Sequence, residues 1–254
     1  MRAVVAVHGI GCGGAESRKG FSAELESAVK TRLPEGGRLI WREAVWEGVN
    51  DRLCTGIKEA VSPMVFTLFI NSRNRWVRIA SRAACAAGLG RLAVSALENT
   101  LDAGLDLPLY MIERRGSRIR AIVRSEVEAN PGCVLVAHSL GSVICYDLLR
   151  KNPGLPVGAF VSFGSPLGLI KKLQFGENVF KPAKLAIDWT NFYIRKDPAC
   201  LGKGLAEELF PGVRNEAACY TGHTRHAHTA YWHNDDIARH IADLVRDNAV
   251  SGEK

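Results

Sequence analysis

Residues 134–142 read VLVAHSLGS. With Cys133 they open on a continuous apolar run, the signature of a strand buried on both faces of a parallel sheet. LGSVICYDLLRK at 140–151 fits the helix that follows. No loop separates the two, so Ser139 falls in a tight strand-to-helix turn. A residue there takes a strained backbone conformation and needs small neighbours two positions before and after it. Ala137 and Gly141 meet that demand. The turn reads as a nucleophile elbow, holding the Ser139 hydroxyl above the sheet at a helix N-terminus, where free N–H groups favour developing negative charge.

Outward from the elbow, strands and helices alternate. RAVVAV (2–7) is a second two-sided apolar run, and the segment at roughly 16–33 puts Phe21, Leu25, Val29 and Leu33 on one helical face before Pro34, Gly36 and Gly37 stop it. RLIWREAVW (38–46) reads as a strand. Residues 114–129 carry Ile119, Ile122, Val123 and Val127 at helical spacing, ended by Asn130-Pro131-Gly132. Beyond the elbow helix, VGAFVSFG (157–164), LAIDWTNFYI (185–194) and roughly 215–220 are further strands, and 234–247 lines up Ile237, Ile241, Leu244 and Val245 as a closing helix. This order predicts an α/β fold: a mostly parallel sheet of about six strands with helices on both faces.

The expected organisation is one domain over 1–248 and a short tail at 249–254. One block breaks the rhythm. Residues 47–113 are too long for a plain connection and too apolar for a disordered linker, so they read as a helical insertion, a cap or lid. The chain has 254 residues, 47% of them hydrophobic, and no repeat or biased tract. No leader pattern and no apolar run of spanning length is visible, and the seven cysteines are scattered, mostly inside apolar runs. A cytoplasmic protein with reduced thiols is the expectation.

The opening loop, VHGIGCGG, admits two readings. Gly9, Gly11 and Gly14 satisfy G-x-G-x-x-G, which in a dinucleotide fold cradles a pyrophosphate and is followed about 20 residues on by an acid at the end of the second strand. The nearest acid there, Glu43, lies 29 residues past Gly14. Beside an activated serine the same loop has another use. Glycines at 9 and 11 let the Ile10 N–H turn inward as one oxyanion donor, with the Leu140 N–H as the other.

VHGIG at 7–11, AHSLGS at 137–142 and GSPLG at 164–168 together resemble the α/β-hydrolase superfamily, and within it the small bacterial lipases and esterases with Ala-x-Ser-x-Gly. The resemblance covers 2–46 and 114–248. It implies the three-layer α/β-hydrolase sandwich, no cofactor, and an acid and a histidine following the serine in chain order. Asp197, before Pro198 at the end of NFYIRKDP, takes the acid's place; Asp188 is its rival, and a plain turn-capping Asp is the structural alternative. GHTRHAHTAYWHND (222–235) holds four histidines. His228, before an aromatic pair, resembles the family's base, with His226 as runner-up. The cluster and Cys219 also raise a metal site, but neither a His-x-x-x-His pair nor a Cys-x-x-Cys knuckle is present. His8 and His138 take structural places.

Two functions from different classes follow. One is a serine hydrolase cleaving a small-molecule or lipid carboxylic ester through Ser139, His228 and Asp197. The other is a non-catalytic or weakly catalytic protein of the same scaffold that binds lipid or a partner through its basic insertion. Residues 71–124 hold ten arginines and four acidic residues, most of the chain's net +7. That charge suits peripheral contact with an anionic membrane, or simply a solvated face. No recognition motif accompanies it, so no nucleic-acid partner is expected.

Overall fold

The structure, a computed structural model, describes residues 2–9, 20–35, 38–46, 113–168 and 183–250. The chain divides into two compact units, residues 1–46 with 117–254, and residues 47–116. The first carries the fold below. The insertion expected at 47–113, apart from Glu113, lies outside the described residues.

Six strands form one sheet: β1 Val4–Val7, β2 Trp41–Ala44, β3 Cys133–His138, β4 Val157–Phe163, β5 Asp188–Tyr193 and β6 Val213–Ala217. Their order is β2-β1-β3-β4-β5-β6, and every pairing is parallel. Parallel strands require crossovers, and helices lie in the first three: α1 Ala23–Lys30 between β1 and β2, α2 Glu113–Ala129 between β2 and β3, and α3 Leu140–Lys151 between β3 and β4. After β6 come a single turn α4 (Thr224–Ala227), a 3₁₀ turn (Ala230–His233) and α5 (Asp235–Val250). α5 continues two residues into the expected tail.

Strand alternation sends successive side chains to opposite faces. On one face Val4, Val134, Val136, Val161, Phe163 and Phe192 pack with Leu25 and Val29 of α1 and with Ile237, Ile241 and Val245 of α5. On the other, Phe160 stacks on Trp189, which meets Tyr146 of α3 at a tilt and Phe210 edge-on. Helices therefore cover both faces, and β1 and β3 are buried throughout.

The strand order reverses direction at β1. The chain goes from β1 to β2 on one side, then returns to β3 on the other. In open α/β sheets, ligands bind in the crevice at such a reversal, beyond the carboxyl ends of the strands. Gly9, two residues past β1, and Ser139, the residue after β3, lie at these ends.

Candidate active site

Ser139 has φ +52° and ψ −126°, one of two non-glycine residues with positive φ among those described. Such a conformation costs a non-glycine residue on the order of 1–3 kcal/mol, and surrounding structure must hold it. The Ser139 N–H donates to the Phe163 carbonyl (3.1 Å), and its carbonyl accepts from the Ser142 N–H (2.9 Å) and hydroxyl (2.5 Å). Ser142 Oγ also lies 2.8 Å from Ser165 Oγ, tying the elbow to the GSPLG segment. A Cβ on Gly141 would stand 2.6 Å from the carbonyl oxygens of Val7 and His8, so α3 starts directly against the end of β1. Gly9 lies as close to the serine itself: a Cβ there would be 2.6 Å from Ser139 Cβ.

His228 brings its Nε2 to 2.9 Å from Ser139 Oγ. Its Nδ1 faces the Asp197 carboxylate, 3.1 Å from Oδ1 and 3.0 Å from Oδ2. An ionised carboxylate only accepts, so Nδ1 donates to it, and in the tautomer that carries its one proton there Nε2 accepts from the serine. Asp197 is buried in the loop after β5, and its two oxygens each receive a further donor. The Ala199 N–H reaches Oδ1 (2.9 Å) and the Tyr231 hydroxyl reaches Oδ2 (2.8 Å). Asp197 thus caps its own turn and also holds His228.

Burial works to raise the Asp197 carboxyl, but the hydrogen bonds from His228, Tyr231 and Ala199 and the charge of His228 outweigh it and hold the group below its usual range. Burial, reinforced by the Asp197 charge, pushes the Tyr231 phenol well up, so it stays protonated as a donor. Burial also drives His138 down to about 3, aided by the neighbouring His228. Neutral His138 donates from Nε2 to the His228 carbonyl (2.8 Å), and the two rings lie 4.7 Å apart.

The rivals go elsewhere. Asp188 is exposed at the start of β5, the opposite end of the sheet from Ser139. His226 is exposed and accepts from Arg225 Nε (2.9 Å), His223 precedes α4, and His233 pairs with Glu24 of α1. Glu43 does sit near the end of β2, where a ribose-binding acid belongs. Its carboxylate instead takes the Gly20 N–H (2.6 Å), the Ser22 N–H (2.9 Å) and the Ser22 hydroxyl (2.5 Å), satisfying donors at the start of α1. Ile10 lies outside the described residues. Leu140 is the first residue of α3, where backbone N–H groups have no intrahelical partner.

His8 is buried and stacks on Trp46 at 4.9 Å, donating from Nδ1 to the Gly9 carbonyl (2.5 Å) while its own carbonyl accepts from Trp46 Nε1 (3.1 Å). Two contacts had no place in the sequence reading: Tyr231 on Asp197, and His138 on the His228 carbonyl. The first left a trace, since Tyr231 follows His228 by three residues, one helical turn.

Comparison with protein-family models and with curated proteins finds no match for this chain. Among the described residues no helix is long and apolar enough to cross a membrane.

Proposed function

We propose that this chain is a serine hydrolase of the α/β-hydrolase fold that cleaves carboxylic esters. The reading rests on one observation: Ser139, strained at a strand-to-helix turn, is hydrogen-bonded to His228, whose other nitrogen faces the buried Asp197 carboxylate. His228 Nε2 takes the hydroxyl proton as Ser139 Oγ attacks the ester carbonyl. Asp197 keeps the imidazole in the required tautomer and stabilises the imidazolium that forms. The oxyanion receives the N–H of Leu140 and that of Ile10, the residue after the glycine packed on the serine. Collapse passes the proton from His228 to the departing alcohol. Water, deprotonated by the same imidazole, then releases the acid and restores Ser139.

The substrate class is a small-molecule or lipid ester, and no metal or cofactor enters any step. A fluorophosphonate probe, which phosphonylates an activated serine with loss of fluoride, tests the reading by peptide mass spectrometry. An adduct on Ser139 that is absent in Ser139→Ala and strongly slowed in His228→Ala is the expected result, followed by turnover of a graded ester panel. Folded protein that takes no label, with detergent or lipid present, overturns the reading and leaves the binding-protein alternative.

A further inference from the structure

We infer that Tyr231 is a positioning residue for the Ser139 reaction, acting through Asp197; this rests on the hydrolase reading above. A buried tyrosine is ordinarily a core residue with a hydroxyl that finds any partner. Tyr231 differs because the direction of its hydrogen bond is forced. Its oxygen accepts from the Ile194 N–H (2.9 Å), the residue just past the end of β5, and a backbone N–H can only donate. The single hydroxyl proton then goes to Asp197 Oδ2, 2.8 Å away.

The consequence is a carboxylate gripped from both sides. Oδ1 holds the Ala199 N–H, Oδ2 holds the Tyr231 O–H, and His228 Nδ1 lies almost equidistant from the two oxygens. Neither oxygen is left to water, and rotation of the carboxylate would break one fixed bond or the other. Tyr231 is itself clamped. It is fully buried, stacks on Phe163 at 5.7 Å, and lies so close to Gly164 that a Cβ there would be 2.8 Å from its ring. Tyr231 also sits three residues beyond His228, so the segment that carries the base carries the group that orients the base's partner.

The role is separable from packing. Tyr231→Phe keeps the ring and removes the donor; kcat for an activated ester is expected to fall about tenfold with KM unchanged, after normalising each sample to its fluorophosphonate-reactive sites. In an Asp197→Ala background the same substitution is expected to change nothing further, because the group it orients is gone. 4-Aminophenylalanine at position 231 restores a donor but accepts the Ile194 N–H poorly, and is expected to recover kcat to within about threefold of the natural protein. If Tyr231→Phe does not fold, that replacement decides alone. An equal loss in both backgrounds, or no recovery with the amine, overturns the inference and makes Tyr231 a packing residue. Wild-type protein that never labels overturns the hydrolase reading instead, so the two failures are distinct.

Discussion

Gly9 and Ser139 touch across the reversal point of the sheet: a Cβ on Gly9 would lie 2.6 Å from Ser139 Cβ and 3.2 Å from its Oγ. The obstructing atom is the first carbon of the serine side chain, fixed to a strained backbone, so it cannot swing aside. Gly9→Ala is therefore expected to push the hydroxyl away from His228. A displacement of about 1 Å at a reacting group costs on the order of 10²-fold. Ester turnover measured beside far-UV circular dichroism checks this: kcat/KM should fall roughly a hundredfold with the fold retained. Normal turnover would mean that the first loop and the elbow are not in contact.

The burial of His138 gives the protein an acid-sensitive component of stability. In the fold its pKa lies near 3, against about 6.5 in an unfolded chain. Between those values the unfolded state binds the proton and the folded state does not. Stability from this group is thus fully present above about pH 6.5 and is lost as pH falls towards 3. Asp197, held below its usual range by its hydrogen bonds and the His228 charge, acts only further down, as pH drops below the ordinary carboxylate range. Urea midpoints at pH 7, 5.5 and 4.5 should fall steadily for the natural protein and more shallowly for His138→Gln. Parallel slopes would remove His138 as the cause.

These sites differ in how visible they are in the chain itself. β3 and β4 run within a residue of the apolar segments at 133–138 and 157–164, since a strand covered on both faces must be continuously apolar. β6 does not. Expected at 215–220, it lies at Val213–Ala217, and only Val213 is buried, so this edge strand shows no apolar run to read. β2 is shorter than RLIWREAVW suggests, because β1 offers it only four partners. Ser139 is legible because its turn makes a local steric demand. Asp197 and His228 meet from positions 31 residues apart, which no local pattern encodes; the resemblance to hydrolases carried that assignment. In the sequence Tyr231 is only part of the aromatic pair after His228, because what singles out its hydroxyl is a backbone N–H just past the end of β5.

Thiol chemistry follows burial. Cys133 is pushed up to about 12, and Cys145 and Cys200 are also raised, by burial first in each case. Cys219 is exposed. The thiolate is the nucleophile, so iodoacetamide at neutral pH should alkylate Cys219 and spare Cys133, Cys145 and Cys200 in the native protein. Peptide mass spectrometry with and without denaturant reads the difference. Rapid native alkylation of Cys200, whose Sγ lies 3.7 Å from the Tyr231 hydroxyl, would show that the Asp197 loop opens in solution.

The strain at Ser139 should invert a familiar order of residues. Glycine is ordinarily less stabilising than alanine at an unstrained position, by about 0.4–1 kcal/mol, because its unfolded chain has more freedom to lose. At φ +52° alanine meets its own carbonyl while glycine does not. Ser139→Gly and Ser139→Ala both lose the hydroxyl and its bond to His228, so comparing them isolates the backbone. The glycine variant is expected to be the more stable by about 1–2 kcal/mol, and both inactive. For a chain of this size that difference corresponds to roughly 2–8 °C in Tm, within reach of differential scanning fluorimetry. An alanine variant melting above the glycine variant would show that the elbow is unstrained, and that the small residues at 137 and 141 answer to packing alone.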